Sequence, residues 1–151
     1  MSIEQNLKKL NIDLPKAPDP VGSYVASKIV KNLVFISGKV SFDIQGKLIK
    51  GKVGNDLNLE QAQEAARYCA LNIIAQLKKN CGSLDKIKGC VKLTGYVNST
   101  DTFIDQPKVI NGASNLISQI FGDSGKHTRA AVSVNSLPLG AAVEVDAIFE
   151  I

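Results

Sequence analysis

Apolar residues recur along this chain with two periods, and the switch between them lays out the elements. After Asn58, the residues Ala62, Ala65, Ala66, Cys69, Ala70, Ile73 and Leu77 return three or four apart, the spacing of one helix face. Asn58 with Gln61 three positions on is a capping pair, and Gly82 is a stop, so a long helix is predicted between them. Most of that stripe is small, which lets the helix lie close against a sheet. Val109, Ile110, Ala113, Leu116, Ile117, Ile120 and Phe121 mark a second helix, with Asp105 as its predicted cap and Gly122 past its end. Segments rich in β-branched and alternating apolar residues predict strands at 24–29, 33–37, 87–97, 129–134 and 142–151. Lys31-Asn32 turns the first two into a hairpin, and Leu137-Pro138-Leu139-Gly140 joins the last two.

At the N-terminus, Ser2 and Gln5 form a capping box for a short helix ending near Leu10. Pro15, Pro18 and Pro20 then rule out regular structure, because each removes a donor and restricts its predecessor. The organisation expected is a helix and arm over 1–14, then one domain over 15–151. Asp43 to Lys47 reads as a turn, followed by a Gly- and Lys-containing loop through Asp56. The order ββαβαββ predicts an α+β fold, one mixed sheet with two helices on one face.

Composition narrows the class. A chain of 151 residues with 44% hydrophobic and 21% charged residues can bury a core unaided, unlike a disordered segment. No apolar run approaches the length of a membrane span, and the acidic, non-apolar start is unlike a secretory signal, so a cytoplasmic location is expected. Three cysteines without a C-x-x-C spacing argue for reduced thiols rather than a disulfide framework or zinc site. Cys69, among alanines, reads as core. Net charge is +4, and Lys28, Lys31, Lys39, Lys47, Lys50 and Lys52 share a stretch with a single acid, Asp43. That stretch is either a set of solvated turn lysines or a patch for an anion or RNA, although few aromatics are present to stack on bases.

Of the eighteen basic residues only Arg67 and Arg129 are arginine, so a planar fork of donors is kept for two places. Arg67 follows Glu64 by three on the first long helix, the spacing of a surface ion pair. Arg129 has no such local partner. Strand alternation puts Arg129, Ala131 and Ser133 on one face, opposite Ala130, Val132 and Val134. Glu144 and Asp146 likewise oppose Val143, Val145 and Ala147. If both apolar faces meet the helices, Arg129 lies across from Asp146, or diagonally from Glu144 at about 7–8 Å, on the uncovered face. Such a cluster is either a surface ladder worth about 0–1 kcal/mol per pair or a site closed by another subunit. His127 is either a surface residue or a proton donor beside Arg129, and Gly112 either admits close helix packing or serves a pocket.

The run from Arg129 through Val132-Ser133-Val134, Leu137-Pro138 and Val143-Glu144-Val145-Asp146-Ala147 resembles the C-terminal signature of the RidA/YjgF family. Gly22-Ser23-Tyr24, the strand ending Ile36-Ser37-Gly38, and Asn111 are similar to further family motifs, so the resemblance covers nearly everything after Leu14. It implies a chorismate-mutase-like fold, a homotrimer with sites between subunits, and no cofactor. The implied activity is hydrolysis of reactive 2-enamine/2-imine acids to 2-keto acids and ammonia. By position, Arg129 would clamp the substrate carboxylate and Glu144 would activate water. Tyr24, Asn111, Ala131 and the backbone at Gly38 would line the pocket. Two departures stand out: Ala131 replaces the usual Cys two residues after the arginine, and Gly-Ser-Tyr replaces Gly-Pro-Tyr. Ala131 motivates a second reading, a non-catalytic binder of small carboxylates. The Lys-rich stretch motivates a third, RNA binding or cleavage.

Overall fold

The computed structural model describes residues 1–20 and 22–151. Helix α1 (Ile3–Lys9) is followed by strands β1 (Ser27–Val30) and β2 (Leu33–Val40), then helix α2 (Leu59–Cys81). Strand β3 (Gly89–Asn98), helix α3 (Gln106–Phe121), strand β4 (Thr128–Val134) and strand β5 (Val143–Glu150) complete the chain. The five strands form one sheet in the order β1-β2-β5-β3-β4, and α2 and α3 pack on one of its faces. This is the α+β arrangement read from the sequence.

Local chemistry explains the ends. Both predicted capping boxes form, Ser2 with Gln5 and Asn58 with Gln61. Asp105 occupies the cap position of α3 but makes no capping hydrogen bond; its carboxylate pairs with Lys108 at 3.4 Å instead. Asp43 closes its turn by accepting from the backbone N–H groups of Gln45 and Lys47. Helix α1 is fastened at both ends. Asp85 Oδ1 accepts from Ile3 N, while Asn6 Nδ2 donates to the last carbonyls of α3 at Gln119 and Ile120.

The small stripe on α2 is fully buried, with Ala62, Ala65, Ala66, Cys69 and Ala70 all at 0% exposure, so helix and sheet backbones approach closely. Burial pushes the Cys69 thiol well up and the Cys90 thiol up to about 12, which leaves both unreactive. Gly112 belongs to packing: a Cβ there would overlap the Gln63 carbonyl of α2. Gly112→Ala is therefore expected to lose about 1–3 kcal/mol, although alanine is the better helix former by about 1 kcal/mol. Urea unfolding checks this, and a stabilised variant would contradict it.

Three readings of side-chain placement are corrected. Glu64 and Arg67 do not form an ion pair among the described residues; both line the groove between α2 and α3. Two of the six lysines of the 28–52 stretch are tied into the fold and are not free for a patch. Lys39 is buried against Gln76 Oε1, and Lys52 Nζ donates to Asn98 Oδ1 and to the carbonyls of Ser99 and Asn135. The largest correction concerns Arg129. β4 and β5 are not a hairpin pair, because β3 lies between them, parallel to β4 and antiparallel to β5. Leu93 faces Arg129 on one side and Ala147 on the other. Since Leu93 and Ala147 point to the helices, so does Arg129, whereas Glu144 and Asp146 point to the uncovered face. β4 is an edge strand whose apolar Val132 is 44% exposed on the open side. Its alternation therefore indicated the wrong face.

Candidate functional site

Arg129 and Glu144 thus organise two separate clusters in one chain. Arg129 is two strands away from β5 and level with Ala147, three residues from Glu144, so with strands about 4.8 Å apart and about 3.3 Å per residue their backbones are roughly 14 Å from each other, and their side chains leave on opposite faces.

The first cluster is built where β4 meets α3. Pro107, Asn111 and Ser114 stand four and three residues apart on α3, one above another, facing the edge strand. Arg129 Nη1 donates to Asn111 Oδ1 at 2.8 Å and to Ser114 Oγ at 3.1 Å, and Nη2 donates to the Pro107 carbonyl at 3.3 Å. Five guanidinium hydrogens are available, so Nε–H and one Nη2–H have no partner among the described residues. Nε–H and the Nη2–H on its side form the edge of a guanidinium whose two hydrogens match the two oxygens of a carboxylate. Ala131 is half-buried on the same face of β4, beside Arg129's row, and adds no polar atom. Ser133, next along, is bonded by Gln106 Nε2 and by Ser99 Oγ at 2.6 Å each.

The second cluster lines a cleft of about 630 Å³ on the uncovered face, where Tyr24, Phe35, Ser37, Gly38, Glu144 and Asp146 converge. An irregularity in the β2–β5 ladder between Ile36 and Lys39 sets Gly38 under Glu144. A Cβ at Gly38 would overlap Glu144 Oε1, so glycine is what lets the carboxylate lie against the backbone. Ser37 extends the hairpin contact by donating twice, N–H to Ala26 O and Oγ to Val25 O, which holds the Tyr24 loop beside the cleft. Tyr24 itself is 53% exposed. Burial, and then the neighbouring Asp146 carboxylate, raise the Glu144 carboxyl above its ordinary value. Asp146 accepts from the Tyr96 hydroxyl at 3.1 Å, so it neither pairs with Arg129 nor stands alone.

The structure therefore brings Arg129, Asn111 and Ala131 together, and separately Tyr24, Gly38 and Glu144. Sequence reasoning missed Ser114, Tyr96 and the engaged state of His127, which is half-buried and bonded on both ring nitrogens. Ser114 could have been found, since it follows Asn111 by one helical turn. Among the described residues no three His, Cys, Asp or Glu side chains gather as metal ligands, and no helix is long and apolar enough to cross a membrane.

Known proteins share this layout over almost the whole chain. The family described as "YjgF/chorismate_mutase-like, putative endoribonuclease" matches residues 4–151. Protein TCP17 of Trypanosoma cruzi is 41% identical over 99% of this chain and 94% of its own length. The 2-iminobutanoate/2-iminopropanoate deaminase of Rattus norvegicus is 30% identical over 91% of this chain and 86% of its own. A crystal structure of a protein of unknown function from Agrobacterium tumefaciens superposes with a TM-score of 0.89, at 46% identity over 99% of this chain and 93% of that one. The five-stranded mixed sheet under two long helices is accordingly chorismate-mutase-like, and the chain belongs to the RidA/YjgF family.

Proposed function

We propose that the protein hydrolyses reactive 2-imino acids to 2-keto acids and ammonia, in sites completed by two copies of the chain within a homotrimer. The observation that carries this reading is the split itself: a guanidinium with an open carboxylate-matching edge on one face, and a proton-ready carboxyl in a cleft on the other. A second copy whose β4 edge meets the uncovered face of the first would bring the two together. Open-face residues Phe35 and Val132, 41% and 44% exposed, offer apolar area for such a contact.

In the assembled site, Arg129 binds the substrate carboxylate along Nε–H and Nη2–H. Water adds to the imine carbon while Glu144 takes its proton. Glu144 returns that proton to the amino nitrogen of the carbinolamine formed from the protonated imine, and then takes the hydroxyl proton as the C–N bond breaks, so that ammonia leaves as the keto group forms. A carboxyl held above its ordinary value gives back the proton more readily than an exposed one. Ala131 favours a second reading, in which the same site binds 2-keto acids without turnover, since it contributes no polar atom beside the reacting carbon. Lys39 and Lys52, held inside the fold, are two lysines fewer for the RNA-binding reading.

The test is co-expression of Arg129→Ala with Glu144→Gln. Each variant alone is expected to release almost no ammonia from freshly generated 2-aminoacrylate. Random mixing in a trimer rebuilds an intact Arg129–Glu144 pairing at about a quarter of the interfaces, with activity to match. No recovery would reject the shared site, and pyruvate binding without ammonia release from the wild type would favour the second reading.

A further inference from the structure

The Arg129 cluster continues beyond the residues that a ligand would touch. Ser114 Oγ, which accepts from Arg129 Nη1, lies 2.9 Å from His127 Nε2. His127 Nδ1 lies 2.7 Å from the Gly125 carbonyl oxygen, which can only accept. Nδ1 must therefore carry the ring hydrogen, and Nε2 of the neutral ring presents a lone pair. That lone pair takes the Ser114 hydroxyl hydrogen, which leaves the Ser114 oxygen lone pairs for the guanidinium. Every bond then runs in the same sense, from Arg129 to Ser114 to His127 to the Gly125 carbonyl, an order in which each donor polarises the next. The far end is immobile: Gly125 is buried against α3, and a Cβ on it would stand 2.7 Å from the Ile117 carbonyl.

We propose that Ser114 and His127 are positioning residues for Arg129. Their one-way chain, anchored on Gly125, fixes the rotation of the guanidinium plane so that its Nε–H and Nη2–H edge faces the ligand. Asn111 and the Pro107 carbonyl fix where the group sits, whereas the chain fixes how it is turned. Without it, the bonds to Asn111 and to the Pro107 carbonyl remain, and the plane could turn about the line that joins them. The inference rests on Arg129 being the carboxylate-binding group.

His127 is the sole histidine, so its ring nitrogens give one unambiguous set of signals in ¹⁵N-resolved NMR. The chain predicts the Nδ1–H tautomer of the neutral ring, with resonances that shift in Ser114→Ala and in Arg129→Ala. In parallel, pyruvate binding by calorimetry is expected to weaken roughly three- to tenfold in Ser114→Ala and His127→Phe. His127→Gln, whose amide oxygen can still accept from Ser114, and Ser114→Thr are expected to stay within about twofold. An Nε2–H tautomer, or resonances indifferent to Arg129→Ala, would overturn the chain whether or not pyruvate binds. Loss of binding in Arg129→Ala with normal binding in Ser114→Ala and His127→Phe would also overturn it, leaving the carboxylate site intact. Equal binding by wild type and Arg129→Ala would instead reject the site.

Discussion

Arg129→Ala is expected to lower the efficiency of imine hydrolysis about a hundred- to a thousandfold, equivalent to roughly 3–4 kcal/mol. The substitution removes a charge-assisted, two-pronged contact, and among the described residues no other cation is bonded into the α3–β4 cluster to replace it. The loss should fall on carboxylate binding as much as on turnover, since the guanidinium grips a group that does not react. Arg129→Lys should recover only a small part, because an ammonium cannot bond Asn111, Ser114 and the Pro107 carbonyl while presenting two parallel hydrogens. Stability should change little by comparison, since the freed acceptors on α3 lie where water reaches them. Ammonia release and pyruvate calorimetry give the two readouts. Turnover within about twofold of the wild type would remove Arg129 from the mechanism.

The fold was readable because its signals are local. The caps at Ser2 and Asn58, the small stripe of α2 and the alternation of β5 each depend on neighbours a few residues away. The placement of Arg129 depends on something the alternation of β4 does not contain, namely which strand it pairs with. Helix α3 connects β3 to β4, so β4 returns parallel beside β3 and never meets β5. Apart from Arg129, both faces of β4 are built of small residues, and at a sheet edge the exposed Val132 side is as permissible as the covered one. The same ambiguity hid the Ser114–His127 pair, whose partners are thirteen residues apart and joined only by the tertiary fold. Gly38 shows the opposite case. The family motif singled it out, and only the bulge beneath Glu144 supplies the reason, a carboxylate resting where a side chain would be.

Opposite faces also give the assembly a thermodynamic signature. Within one chain, substitutions at Arg129 and Glu144 share no bonded partner and are separated by β3, so their effects on stability should add to within about 0.5 kcal/mol. If the guanidinium of one protomer approaches the carboxylate of the next, they should not add.

Glu144→Gln makes that separation measurable and carries the second large effect. Turnover is expected to fall about a hundred- to ten-thousandfold, since the amide cannot take a proton from water, while pyruvate binding through Arg129 is retained. The isolated chain should gain stability at the same time, because the carboxyl it replaces is raised by burial and by Asp146. A carboxyl raised in the folded state favours folding below its unfolded value and loses that contribution as pH climbs through the folded one. The gain from Gln should therefore be near zero in acid, grow as pH rises from the ordinary carboxylate value through the raised one, and level off above it. Because solvent still reaches the group, the gain at neutral pH is modest beside the loss of turnover. An arginine arriving from a neighbouring protomer would stabilise the charged form and shrink that gain, and Arg129→Ala would restore it. Urea unfolding of the four combinations at neutral and acidic pH decides the matter. A gain independent of pH would show that the Glu144 charge is not opposed by its surroundings, and a gain independent of Arg129 would show that the two groups never meet.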